Sequence, residues 1–184
     1  MLVRHGETEW TRAGQHTGRT DVELTDAGRE EARQVGRALA GRTFALVLTS
    51  PLRRATETCA LVGFGAEAVT DPDLREWDYG DYEGRTTADI RAERPDWSLW
   101  RDGGPDGEQA DDVRRRVDRV LARARAAPGD VLLVAHGHVL RVLTARWLGL
   151  RARDGALFAL DPGTLGALGW ERETAVIRRW NVPG

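Results

Sequence analysis

A single cysteine, Cys59, stands in the 184 residues, so the chain can form no internal disulfide and no cysteine-ligated zinc site. Long apolar runs are missing too. None approaches the roughly 20 residues that a membrane-spanning helix needs, and Met1-Leu2-Val3 begins no signal-peptide core. An excess of either charge is also lacking: the formal charge of -2 offers nucleic acid or an anionic membrane no general attraction. Together these absences lead us to expect a cytoplasmic protein in which any bound anion meets a local cluster of positive charge.

What is present is an ordinary globular composition, 41% hydrophobic and 30% charged. The length suits one domain carrying a small cap better than two full domains. Met1 to Val3 reads as the end of a first strand, and Arg4 to Leu24 as a polar, Gly-punctuated loop long enough to suggest function. Thr25 predicts the N-cap of a helix to about Ala40, with Ala32, Val35 and Leu39 on one face and Gly41 as its stop. Phe44 to Thr49 is a buried strand by composition, and Ser50-Pro51 reads as N-cap and first turn of a helix running toward Gly63. Glu67 to Thr70 suits a short strand. Thr86 to Glu93 is helical until Pro95, and Trp97, Trp100 and "DGGPDG" read as loop, the last without the lysine of a P-loop. A long helix over about Gln109 to Ala126 places Val113, Val117, Val120, Leu121 and Ala124 inward and leaves its arginines mostly solvated. "VLLVAHGH", residues 131 to 138, is an apolar strand ending in two histidines, followed by a helix from about Val139 to Trp147. Leu165 to Trp170 and Thr174 to Trp180 make a hairpin. Strands alternating with helices predict an α/β fold. Its mostly parallel central sheet is flanked by helices on both faces, in a single domain over 1–184 with a small helical and loop cap over about 73–108.

In such a sheet ligands collect outside the carboxyl ends of the strands, and three strand ends here carry unusual groups. The first ends at Arg4-His5, the second at Ser50 with Arg53 and Arg54 a turn later, and a third at His136. Guanidiniums and imidazoles converging on one spot repel unless an anion sits between them, and arginine matches phosphate oxygens in pairs. Flanking arginines also lower an imidazole pKa, leaving a lone pair free to attack phosphorus, with His5 as the candidate. A leaving alkoxide needs a proton. Glu76, in "DLREWDYGDYEG", suits that task, while Glu7, Glu9, Asp78 and Asp81 remain rivals that spacing does not separate. A lone strand-end histidine is more often structural, but two His-Gly strand ends beside arginines weigh against that. His136-Gly-His138 makes a poor metal pair, because only two further histidines exist and cysteine ligands are lacking. Trp97 and Trp100 read as cap packing, since no basic stripe accompanies them for base stacking.

These motifs, taken in order along nearly the whole chain, resemble the histidine phosphatases, or phosphoglycerate mutase-like superfamily. The first signature is Arg4-His5-Gly6-Glu7-Thr8 with Trp10, continuing through "GQHTGRTDVELTDAGREEA". The second is Ser50, Arg54, Ala55 and Thr58. The acid motif is Leu74 and Glu76 before Gly80, Tyr82, Glu83 and Gly84, and the last is His136-Gly137. "LREWDYGDYEG", "WSLWRDG" and "AHGHVLR" look like a subgroup with actinobacterial acid phosphatases and the fungal sedoheptulose-1,7-bisphosphatase, and less like the longer glycolytic mutases.

The resemblance implies a metal-independent phosphomonoesterase, without cofactor, acting on a small phosphorylated metabolite such as a sugar phosphate through a phosphohistidine. His5 would be the nucleophile and Glu76 the proton donor. Arg4, Arg54 (rather than Arg53) and His136 would hold the phosphoryl oxygens. Thr11, His16, Thr17, Gly18, Tyr79, Arg101, Gly137 and Arg141 are the implied phosphate and substrate contacts, and a homodimer is a further expectation. Two departures stand out. Many members have Asn where Thr11 stands, with its single hydroxyl donor, and the bisphosphatase has an aromatic hydroxyl where His16 aligns. A mutase would use the same residues but return the phosphate to another hydroxyl. A phospho-ligand-binding protein without catalysis would be favoured only if His5 or Glu76 were absent.

Overall fold

Alternation along the strands divides the core between two faces of one sheet. The computed structural model describes residues 1–184. Its strands are β1 (Leu2–Arg4), β2 (Leu46–Thr49), β3 (Ala68–Thr70), β4 (Val131–Ala135), β5 (Thr164–Glu171) and β6 (Thr174–Pro183), joined in the order β3-β2-β4-β1-β5-β6. The first four are mutually parallel and the last two antiparallel. The helices are α1 (Glu9–Arg12), α2 (Asp26–Ala38), α3 (Arg53–Val62), α4 (Thr87–Glu93), α5 (Leu99–Asp102), α6 (Ala110–Ala126) and α7 (Gly137–Trp147).

Val3, Val47, Leu132 and Val134 point to the face covered by α2 and α3, where Val35, Leu39, Cys59 and Val62 meet them. Leu2, Leu48, Leu133 and Ala135, one residue out of step, point to the other face and pack on Val113, Val117, Val120, Leu140 and Leu143 of α6 and α7. The period of two in the strands thus builds both cores at once. Leu132 is fully buried, and its truncation to Ala is worth roughly 2–5 kcal/mol. Leu74, Trp77, Tyr79, Ile90, Trp97 and Leu99, from the segment that crosses the strand ends, belong to the same core as α6 and α7. No helix is long and apolar enough to cross a membrane.

The element boundaries depart from the sequence expectations in instructive places. The long loop contains α1, a single turn whose Thr8–Thr11 capping box holds it without any hydrophobic periodicity. Ser50 does not cap α3, which starts at Arg53 after Leu52, because the Ser50 hydroxyl accepts from the Leu52 N–H at 3.3 Å and from a histidine described below. The loop around Trp97 and Trp100 contains α5. β4 ends at Ala135, with His136 next, as expected, but α7 begins two residues earlier than expected, with His136 as its N-cap. In α6, Arg116 is not solvated but only 8% exposed.

Candidate active site

Register places the first residues of the site. Arg4 pairs with Ala135 and Thr49 with Val134, so the chain leaves β1, β4 and β2 at neighbouring positions with His5, His136 and Ser50 as the next residues. The ladder continues one step further: the His5 N–H donates to the Ala135 carbonyl and the Ser50 N–H to the Val134 carbonyl, both at 3.0 Å. The His5 and His136 rings stand edge to face, 5.1 Å between centroids.

His5 is buried, and its Nδ1 lies 2.7 Å from the Gly6 carbonyl oxygen. A carbonyl only accepts, so Nδ1 carries the proton and Nε2 keeps its lone pair. Burial, then Arg54 and then Arg4, hold the His5 pKa well below the usual imidazole value, so the ring is neutral. Gly6 brings this turn against α2: a Cβ there would lie 2.1 Å from the Gly28 carbonyl oxygen. The Gly6 N–H also donates to the Thr58 hydroxyl at 3.3 Å, and Thr58 in turn donates to the Arg54 carbonyl at 2.7 Å. One threonine so ties the His5 turn to α3.

Arg54 is fully buried and every nitrogen of its guanidinium donates within the protein. Nε reaches His136 Nδ1 at 3.1 Å, Nη1 the Thr20 carbonyl at 2.9 Å, and Nη2 the carbonyls of Thr17 and Gly18 at 3.0 Å. Because His136 Nδ1 accepts, its Nε2 bears the proton and donates to the Ser50 hydroxyl at 2.7 Å. Both ring nitrogens of His136 are therefore committed inside the protein. Arg54 and His136 thus stand bonded to each other beside His5, and Arg54 steadies the Thr17–Thr20 loop. Glu83 holds that loop from its other side, accepting the N–H groups of Gly18 and Thr20. Arg4 is different. Its Nη1 donates to the Leu160 carbonyl, but its buried Nε has no partner, and Gly137 lies against the guanidinium, where a Cβ would come 3.1 Å from Cζ.

Glu76 stands at the N-terminus of α7. Its Oε1 accepts the N–H groups of Trp77 and Val139, both at 2.9 Å, and its Oε2 accepts that of His138 at 3.0 Å. The backbone carrying it is fixed by Arg116, which pairs with Glu108 through Nε–Oε1 at 2.8 Å and Nη2–Oε2 at 2.9 Å. Arg116 also donates to the carbonyls of Asp73, Arg75 and Glu76. The rivals are occupied elsewhere: Glu9 pairs with Arg12, Asp78 with Arg19 at 2.6 Å, Glu7 accepts from the Thr25 hydroxyl, and Asp81 is exposed.

Arg4, His5 and Glu76 share a cavity of about 250 Å³ with Thr11, His16, Thr17 and Tyr79, as the sequence led us to expect, and with Gly14, Gln15, Thr87 and His138, which it did not. The Thr11 hydroxyl is engaged in its capping box. Gly18 and Gly137 form the supports just described. Two expected contacts lie outside. Arg101 is 61% exposed and paired with Asp102 at 2.8 Å, because α5 buries Leu99 and points Arg101, two residues on, to the opposite side and solvent. Arg141 donates to the carbonyls of Gly155 and Ala156 and lies over the Trp100 ring at 4.6 Å. His138 was legible only as half of a metal pair, yet it bonds Tyr79 and not His136: the Tyr79 hydroxyl lies 2.7 Å from its Nδ1. Burial keeps the phenol pKa well above its usual value and the imidazole pKa well below, so both groups are neutral and share one hydrogen bond. No group of three or more His, Cys, Asp or Glu side chains is placed to hold a metal ion.

A strand end that aims a neutral imidazole and a guanidinium with an unpartnered nitrogen into one cavity, with a carboxyl group lining it too, is the layout of a phosphatase. A family model, the histidine phosphatase superfamily (branch 1), matches residues 1–183. An acid phosphatase of Mycobacterium tuberculosis is 42% identical over 96% of this chain and 90% of its own length. The sedoheptulose 1,7-bisphosphatase of Saccharomyces cerevisiae is 36% identical over 82% and 67%, and a 2,3-bisphosphoglycerate-dependent phosphoglycerate mutase of Methylorubrum populi is 38% identical over 89% and 85%. A solved structure from Mycobacterium tuberculosis superposes with a TM-score of 0.94 at 39% identity, covering 99% of this chain and 96% of the other. The chain belongs to the histidine phosphatase superfamily.

Proposed function

We propose that this protein is a metal-independent phosphomonoesterase that hydrolyses a small phosphorylated metabolite through a phosphohistidine on His5. The observation that carries the reading is the Nδ1–H to Gly6 carbonyl bond, which leaves Nε2 of a neutral ring free for attack. In the first step the Nε2 lone pair forms a bond to phosphorus as the bond from phosphorus to the alcohol oxygen breaks, and Glu76 gives that oxygen its proton. In the second, water attacks phosphorus, Glu76 takes the water proton, and the N–P bond breaks to return His5 and inorganic phosphate. The unpartnered Arg4 Nε binds a phosphoryl oxygen, while Arg54 adds positive charge from behind the ring. Because the charge-stabilising groups are arginines, phosphate release from p-nitrophenyl phosphate and from alkyl monoesters persists in excess chelator. Activity that vanishes with chelation and returns with a divalent metal overturns this reading. We place the enzyme in the reducing cytoplasm, in keeping with its single, buried cysteine.

A further inference from the structure

Beyond the phosphoryl group, a substrate must meet whatever else lines the cavity, and the supply of cations in this chain is unusually easy to follow. The sequence contains no lysine, so any partner for a second anion is an arginine or a protonated histidine. Of the arginines only Arg4 lines the cavity, at the phosphoryl end beside His5. Arg54 is spent behind the Thr17–Thr20 loop, Arg141 on two carbonyls and Trp100, and Arg101 on Asp102. The side chains left for the alcohol are Gln15, His16, Tyr79, Thr87 and His138, all hydrogen-bonding groups without formal charge in this site. His16 is pushed down to about 4 by burial, despite Glu83, and packs 4.7 Å from the Tyr79 ring. His138 is neutral for the reason given above. A larger neighbouring cavity of about 530 Å³, on the other side of Glu76, does hold Arg19, Arg75 and Arg116, but three carboxylates, Glu76, Asp78 and Glu108, stand with them. Arg19 and Arg116 are already paired there.

We infer that the physiological leaving group is an uncharged polyhydroxy alcohol, read through its hydroxyls by the His138–Tyr79 pair, His16 and Thr87, and that esters carrying a second phosphate or a carboxylate are poor substrates. This rests on the phosphatase reading and deepens it. A second anion would shed water here without gaining a cation, which the phosphoryl end has already taken. A neutral polyol meets donors and acceptors of its own kind: the His138 imidazole, the Thr87 hydroxyl and the Gln15 amide. The same deficit leaves a phosphoglycerate without an anchor for its carboxylate.

The test is a pair of esters differing in one group. Glycerol 3-phosphate and 3-phosphoglycerate have the same phosphoryl end, and one ends in CH₂OH where the other ends in carboxylate. The kcat/KM for the neutral ester should exceed that for the anionic one by about tenfold or more, the scale of one missing charge-assisted hydrogen bond. Fructose 6-phosphate should likewise exceed fructose 1,6-bisphosphate. H16R, which adds a cation to the cavity, should shift the ratio toward 3-phosphoglycerate, and T87R serves if the first variant does not fold. Calorimetric binding of the same esters to H5A should show the same order, and it reads the preference even if no ester is turned over. Failure to release phosphate from any ester, p-nitrophenyl phosphate included, removes the phosphatase reading. Equal or stronger binding and turnover of the anionic ester removes the inference. In that event, loss of the anionic preference in R141Q assigns the second anion to Arg141, and its loss in R19A or R75A assigns it to the neighbouring cavity.

Discussion

Arg116 donates to the carbonyl oxygen of Glu76 at 3.1 Å, so the backbone of the proposed proton donor is held by a guanidinium of α6. Its pairing with Glu108 uses both carboxylate oxygens, and Glu108 in turn accepts the Asp78 N–H at 2.9 Å, with its carbonyl taking the Trp77 indole N–H at 2.8 Å. Removing Arg116 leaves the half-buried Glu108 uncompensated and three carbonyls without their donor. R116M should cost roughly 1–3 kcal/mol of stability, and the double variant R116M/E108M should recover part of that loss. Urea unfolding checks both. A double variant no more stable than R116M would show that the pair is not the coupled unit described here.

The carboxyl group it positions is the next test. E76Q keeps the size and accepts hydrogen bonds through one oxygen, but cannot donate a proton to a leaving oxygen. With an alkyl monoester the rate of phosphohistidine formation should fall by roughly 10²- to 10⁴-fold, the usual worth of general acid catalysis. With p-nitrophenyl phosphate, whose phenolate needs little protonation, it should fall much less. Single-turnover measurement isolates this step from the hydrolysis in which Glu76 serves as base. Equal losses on both esters would mean that Glu76 only positions the site.

All four histidines are depressed below the ordinary imidazole value, each chiefly by burial: His16 to about 4, and His5, His136 and His138 well below that ordinary value. The unfolded chain takes up protons on these rings near pH 6.5 while the native protein does not. Below that pH the unfolded state therefore binds more protons, and stability falls as the pH drops. Each ring contributes about 1.4 kcal/mol per pH unit in that window. Urea midpoints measured between pH 7.5 and 5 should decline steeply below pH 6.5, and the imidazole nitrogen signals of native protein should show neutral rings at pH 6. A flat stability profile over this range would contradict the burial of these rings.

Much of this was legible in the sequence where a local rule had nothing to compete with it. The strands followed from continuous apolar runs, as at Val131 to Ala135, and the long helices from apolar periodicity, as along α6. His5, Arg4 and Glu76 were identified from motif order, and the structure brings them to one cavity. What was not legible depends on contacts far apart in the chain. Arg116 carries no local mark of burial in a run of arginines, since only Glu108 and three carbonyls from residues 73, 75 and 76 make it an interior residue. Arg101 and Arg141 are polar residues near the right motifs, and only the packing of Leu99 and Trp100 turns them away. His138 was missed because its partner, Tyr79, lies 59 residues away. α1 and α5 have four residues each, too few to display a helical period.

The central claim is that His5 Nε2 becomes covalently bonded to phosphorus, and trapping that intermediate tests it most directly. Protein quenched within the first turnover of a ³²P-labelled monoester should carry label that survives base and is lost in acid, as expected of a phosphohistidine. Peptide mapping should place it on His5, and H5A, folded by circular dichroism, should carry none and turn over no ester. Label on another residue, or an H5A variant that keeps most of the wild-type rate, would contradict the account.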